Sequence, residues 1–176
     1  IPSKDDVLGQ TDIVNFDITL EYGGYIADSS QTYIMPEAST AARALVDNAY
    51  QAMLCGIRAV KPGARLGDVG FAIQKHAERA SYSVVREYCG HGIGREMHEA
   101  PEVLHYGRPA TGLALKPGMT FTIEPMINQG SARARTMSDG WTVRTADGGL
   151  SAQWEHTILV TQSGFEVLTL REGEVI

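Results

Sequence analysis

Five side chains constrain the fold of this chain more than any others: Asp17, Asp28, His91, Glu124 and Glu155. Each sits in a short apolar or glycine-rich segment, where an ionised group is costly unless something compensates it. Four carboxylates and one imidazole converging on one point repel one another. A divalent cation, or better two, converts that repulsion into binding. A fold that buries these segments has to deliver the five side chains to a common centre, and the chemistry indicated is metal-dependent hydrolysis.

The bulk properties allow this and exclude several alternatives. A chain of 176 residues suffices for one domain with a sizeable core. The net charge of −6 argues against non-specific nucleic-acid binding through a basic face. No apolar run approaches the ~20 residues that span a bilayer, and there is no secretory signal pattern, so no membrane partner is expected. Two cysteines, Cys55 and Cys89, make no disulfide framework, and a reduced, cytoplasmic setting is the expectation.

Along the chain, β-rich stretches at 13–20 and 25–34 flank a turn at Tyr22-Gly23-Gly24, predicting a hairpin. Ser39 or Thr40 then caps a predicted helix running to about Val60, with Val46, Ala49, Met53, Ile57 and Val60 on one stripe. A second helix is predicted from about Leu66 to Ala80, with Val69, Ile73, Ala77 and Ala80 on its apolar stripe. Strands are predicted at 83–88, 119–127, 141–145, 152–160 and 165–170. Two consecutive helices among mostly antiparallel strands indicate α+β architecture, with the helices on one face of a curved sheet.

The hairpin carries two aspartates, residues depleted in strands. A turn at Tyr22-Gly23 pairs Asp17 with Asp28, and one at Gly23-Gly24 pairs Asp28 with Thr19. Either register puts both carboxylates on one face, within about 8 Å. Like charges that close are destabilising unless a cation is shared; the plainer reading is a solvated face. Around His91, the glycines of Gly90-His91-Gly92-Ile93-Gly94 let the backbone approach a bound group and adopt positive φ, although such a segment is commonly just a loop. Neutral imidazole is a common transition-metal ligand. His98 is better suited to donate a hydrogen bond or shuttle a proton. His76 reads as a surface residue, and His105 and His156 as structural. Glu124 and Glu155 interrupt apolar strands; by alternation Glu124 shares a face with Thr122, and Glu155 with Thr157. The plainer reading for each is a solvent-facing edge position. The donor set favours Mn²⁺, Fe²⁺ or Co²⁺, with Zn²⁺ compatible. Bridging carboxylates allow two ions about 3.5–4 Å apart with a hydroxide nucleophile between them.

These residues stand in stretches that resemble the bacterial type I methionine aminopeptidases, within the pita-bread metallopeptidases. The matching segments are Asn15-Phe16-Asp17-Ile18-Thr19, Ala27-Asp28-Ser29-Ser30, Tyr88-Cys89-Gly90-His91-Gly92-Ile93-Gly94, Met97-His98-Glu99-Ala100-Pro101, Met119-Thr120-Phe121-Thr122-Ile123-Glu124-Pro125 and Ser151-Ala152-Gln153-Trp154-Glu155-His156-Thr157. The resemblance implies a pita-bread fold and one metallopeptidase catalytic domain over 1–176. It implies removal of the initiator methionine from nascent polypeptides, with two divalent ions, the ribosome as a further partner, and a monomer.

By the same resemblance, Asp17 chelates one ion, His91 and Glu124 the other, and Asp28 and Glu155 bridge. His98 contacts the scissile amide, Glu124 is the general base, and Met97 and Trp141 line the methionine pocket. Thr19 and Thr122 support the ligands. Two departures stand out. The family more often has an aromatic at the Met97 position, and a flexible methionine changes the pocket shape. Family members also carry a longer N-terminal segment, ending in a His-Gly before the Ile-Pro seen here as Ile1-Pro2. The chain is therefore expected to be part of a longer enzyme, with its first half incomplete and one substrate-contacting histidine absent. Rival expectations are an Xaa-Pro dipeptidase or aminopeptidase of the same fold, a catalytically impaired metal-binding fragment, and a non-catalytic binding module.

Overall fold

A computed structural model describes residues 3–176. Ile1-Pro2, the pair behind the expectation of an incomplete front, lies outside the described residues. In order, the elements are β1 (Ile13–Tyr22), β2 (Tyr25–Ile34), α1 (Thr40–Arg58), α2 (Leu66–Arg79), β3 (Ser83–Val84), β4 (Gly90–Gly92), β5 (Glu99–Val103), β6 (Thr120–Ile123), β7 (Met126–Asn128), β8 (Ala134–Thr136), β9 (Val143–Thr145), β10 (Ser151–Gln153), β11 (His156–Val160) and β12 (Phe165–Val167). The strand ladders are antiparallel, and the α+β class holds.

The hairpin closes on Gly23 and Gly24, with φ of 60° and 80°. Positive φ at both central residues is the type I′ geometry, whose twist matches that of the flanking strands. This selects the register in which Thr19 faces Asp28 and Asp17 faces Ser30. Asp17, Thr19 and Asp28 share one face of the pair; the other face of β1 carries Phe16, Ile18, Leu20 and Tyr22, all exposed.

Helix α1 starts where the sequence indicates. Ser39 is extended, and its hydroxyl accepts from the Ala42 N–H at 3.1 Å, satisfying one free donor of the first turn. The expected stripe, Val46, Ala49, Met53, Ile57 and Val60, is buried. It packs with Val69, Ile73 and Ala77 of α2 and with Val84, Val103, Phe121, Ile123, Ile127 and Ile158 from the strands. Each large apolar side chain in this cluster contributes roughly 1.5–3 kcal/mol by leaving water. Gly56 sets the helix spacing: a Cβ there would lie 2.7 Å from Ile73. Ala80, expected on the α2 stripe, is instead the exposed residue that ends the helix.

The strands are shorter and more broken than expected. The predicted 119–127 run divides at Glu124-Pro125 into β6 and β7, which join different sheets. Pro125 cannot donate to a ladder, so the break falls there. The predicted 152–160 run likewise divides at Trp154-Glu155 into β10 and β11. The 83–88 strand shrinks to β3, and 141–145 to β9, which pairs with β8, a strand the sequence reading did not identify. The five-stranded sheet runs β12-β11-β6-β4-β5, and a second sheet runs β10-β7-β3. Both glutamates thus lie between sheets, where side chains are free of ladder alternation.

Candidate metal centre

His91 reaches the centre from a strand. β4 lies between β6 and β5, and the register shifts between His91 and Gly92, a bulge that re-aims the side chain. Gly90, Gly92 and Gly94 do not take positive φ, which corrects the sequence expectation. Their role is close packing: a Cβ on Gly92 would collide with the Ala100 carbonyl, and one on Gly90 would crowd the Thr122 carbonyl. The His91 N–H donates to Thr122 Oγ1 at 3.0 Å. Its Nδ1 lies 3.0 Å from the Gly92 carbonyl, so Nδ1 carries the proton and Nε2 keeps a free lone pair.

That nitrogen points at carboxylates. His91 Nε2 is 3.5 Å from Glu124 Oε1 and 3.9 Å from Asp28 Oδ2. Asp28, His91 and Glu155 each offer one ligand atom, and these atoms lie within 4.8 Å of one another. Asp17 and Glu124 line the same cavity, of about 360 Å³, together with Tyr88, Cys89, Met97, His98 and Met126. The His98 ring meets His91 edge-on, with centroids 4.4 Å apart. Trp141 is 71% exposed and is not among the residues lining this cavity.

Neighbouring polar groups hold the carboxylates. Thr19 Oγ1 donates to Asp28 Oδ1 at 2.9 Å, and Thr122 Oγ1 donates to Glu124 Oε1 at 2.8 Å. Gln153 Nε2 donates to Glu124 Oε2 at 3.3 Å, and the Glu124 N–H donates to His105 Nε2 at 3.1 Å. His105 is buried, which lowers its pKa to about 3 and keeps it neutral as an acceptor. It is structural as expected, but it supports the centre directly. His156 is buried too. His76 is half-buried rather than a free surface residue, 3.6 Å from Cys55 Sγ. Gln153, His105 and Thr157 escaped the sequence reading as supports because each acts across strands distant in the chain.

Burial and mutual repulsion dominate the electrostatics. Glu155 is 1% exposed, and burial first, then the charges of Glu124, Asp28 and Asp17, push its pKa up to about 10. Burial raises Glu124 to about 7, opposed by the Thr122 hydrogen bond and assisted by Asp17 and Asp28. Asp17 is also raised, by desolvation and then by Asp28; exposed as a residue, it is the least enclosed of the three. Glu155 Oε2 is buried without a hydrogen-bond partner. A buried, orphaned carboxylate oxygen among like charges is the environment that a hard divalent cation relieves.

The model of metallopeptidase family M24 matches residues 1–162. The chain belongs to this family. It is 52% identical over 176 residues to a methionine aminopeptidase of Haemophilus influenzae, covering 99% of this chain and 66% of that protein. It thus spans about two thirds of the length of the relatives it matches. A solved methionine aminopeptidase from Rickettsia prowazekii superposes with a TM-score of 0.92 at 51% identity, covering 95% of this chain and 68% of that one. A prolidase from Pyrococcus furiosus, TM-score 0.74 at 24% identity over 96% of this chain and 44% of its own, shares the fold. The M24 fold is the pita-bread fold expected from the motifs. Membership implies use of a divalent metal, and the residues fit one: oxygen donors with one imidazole, a fixed tautomer and an unsatisfied buried carboxylate. Among the described residues, no helix is long and apolar enough to cross a membrane.

Proposed function

We propose that residues 1–176 belong to a single catalytic domain of a metal-dependent aminopeptidase that removes the initiator methionine from nascent polypeptides. The observation that carries this reading is the convergence of Asp28, His91 and Glu155 within 4.8 Å, in a chain 52% identical to a named methionine aminopeptidase. Asp17 would hold one divalent ion, His91 and Glu124 a second, and Asp28 and Glu155 both. Mn²⁺, Fe²⁺ and Co²⁺ suit this donor set best. When bound, such ions supply Lewis acidity and an activated water.

The remaining work falls to side chains. Glu124, the general base that the resemblance implies, faces the cavity 3.5 Å from His91 Nε2, where it is placed to take a proton from water and pass it to the leaving amine. His98, an exposed residue that lines the cavity and meets His91 edge-on, is suited to donate a hydrogen bond to the carbonyl oxygen as it gains charge. Met97, Met126, Tyr88 and Cys89 offer an apolar and polarisable wall to a thioether side chain. Assaying Met-Ala-Ser against Xaa-Pro peptides with Mn²⁺ or Co²⁺ tests the proposal. Release of methionine is the expected result, and Xaa-Pro cleavage without it would overturn the reading.

A further inference from the structure

The candidate metal centre lies across a seam. The β1–β2 hairpin forms its own two-stranded sheet, so Asp28 on one side and Glu155 on the other share no continuous ladder. Individual hydrogen bonds cross instead. Thr157 Oγ1 donates to the Asp28 carbonyl at 2.8 Å and accepts the Asp28 N–H at 3.0 Å. The Glu155 N–H donates to the Ser30 carbonyl at 3.0 Å.

Arg171, beyond the last strand, spans the same line. Its Nη2 donates to Ser29 Oγ at 3.0 Å and the Ser30 carbonyl at 2.6 Å on the hairpin, and to the Glu155 carbonyl at 3.2 Å opposite. One guanidinium nitrogen therefore touches both sides of the seam, one and two residues past Asp28 and at Glu155 itself. The guanidinium is held in turn. Its Nη1 lies 2.8 Å from His156 Nε2 and 3.4 Å from both oxygens of Glu174. Glu174 also accepts the Arg171 N–H at 3.1 Å and the Tyr50 hydroxyl at 2.9 Å. The Trp154 ring lies 5.4 Å away. A planar fork with several donors can serve two strands at once, which a single ammonium cannot.

We propose that Arg171, locked by Glu174, His156 and Tyr50, is a positioning residue that closes this seam and sets the spacing of Asp28 and Glu155. The inference rests on the reading of those two carboxylates as metal ligands. Arg171 is not alone in crossing the seam, because Thr157 Oγ1 and the Glu155 N–H cross it too. What Arg171 adds is fixed geometry at the point where a cation has to meet both carboxylates.

Two measurements separate the clasp from the ligand reading. In metal-free protein, Arg171→Ala should speed hydrogen exchange about tenfold or more at the amides of Asp28 and Glu155, whose N–H groups cross the seam. Amides of the β6–β11 ladder should keep their wild-type rates. With Co²⁺ as the probe, followed by its visible absorption, Arg171→Ala should weaken binding about 10–100-fold, with part regained in Arg171→Lys. Glu174→Gln should shift the same two amides in the same direction by less, and this holds as a test if Arg171→Ala fails to fold. Arg43→Ala, which removes bonds to the carbonyls of Met35, Pro36 and Ala38, should leave Co²⁺ affinity unchanged. Wild-type exchange at the seam, or a uniform rise across all amides, overturns the clasp. Absence of Co²⁺ binding by the wild-type chain overturns the ligand reading instead, and the seam amides still decide the clasp.

Discussion

Replacing Glu155 with glutamine should make the metal-free protein more stable, increasingly so as pH rises. The carboxyl is 1% exposed, with its pKa raised to about 10 from an ordinary 4.5. Between those values the folded state keeps a proton that the unfolded chain has released. Stability then falls with rising pH from about 4.5 until the folded group ionises near 10. The ceiling for one group is about 1.4 kcal/mol per pH unit, or about 3 kcal/mol from pH 6 to pH 8. The site faces a cavity of about 360 Å³, and water drawn toward the carboxylate lowers that figure. A difference of at least about 1 kcal/mol is expected. Glutamine has the same shape and no charge, so this part of the slope should vanish in Glu155→Gln. Urea unfolding of both proteins in excess chelator at pH 6, 7 and 8 measures it, and other titrating groups cancel in the difference.

The same substitution should abolish divalent-ion binding. In wild type, loading at pH 7 has to displace a full proton from Glu155 and about half of one from Glu124, which is raised to about 7. Calorimetry with Mn²⁺ in two buffers of different ionisation enthalpy should therefore report release of about 1.5 protons. Identical pH slopes for variant and wild type, or binding without proton release, would refute the account of Glu155 as a buried, metal-compensated carboxylate.

Other outcomes follow from particular contacts. His98→Ala should leave Mn²⁺ affinity intact and lower turnover about 10²–10³-fold; equal loss of metal would contradict its role at the substrate. Asp28→Ala should remove binding of both ions, since the proposed arrangement has its carboxylate hold both, and a titration retaining one full equivalent would contradict that. Gly56→Ala should cost about 1–3 kcal/mol in thermal or urea unfolding, because the new methyl meets Ile73 at 2.7 Å. Adding Ile73→Val should recover part of it. Ser39→Ala should cost about 1 kcal/mol through loss of the α1 cap.

Local physics made much of this molecule legible from its residues. The hairpin followed from Gly23-Gly24, α1 from Ser39 and an apolar stripe, and the five side chains of the centre from charge set in apolar segments. These signals act over a few residues, through φ, periodicity and desolvation, so a linear sequence carries them. Tertiary structure decided the rest. Glu124 and Glu155 lie at breaks between sheets rather than in regular strands, because β6 and β7, like β10 and β11, find partners far away in the chain. His91 occupies a strand, since Gly90 and Gly92 let β4 fit between neighbours that only the folded chain provides. The bonds that join Glu124 to His105 and Gln153, Thr157 to Asp28 and Arg171 to Ser29 span from 19 to 142 positions of the chain. No periodicity links such pairs, so their roles exist only once the sheets have closed around the centre. Residue chemistry determined what this chain would gather, and long-range pairing decided how tightly it is held.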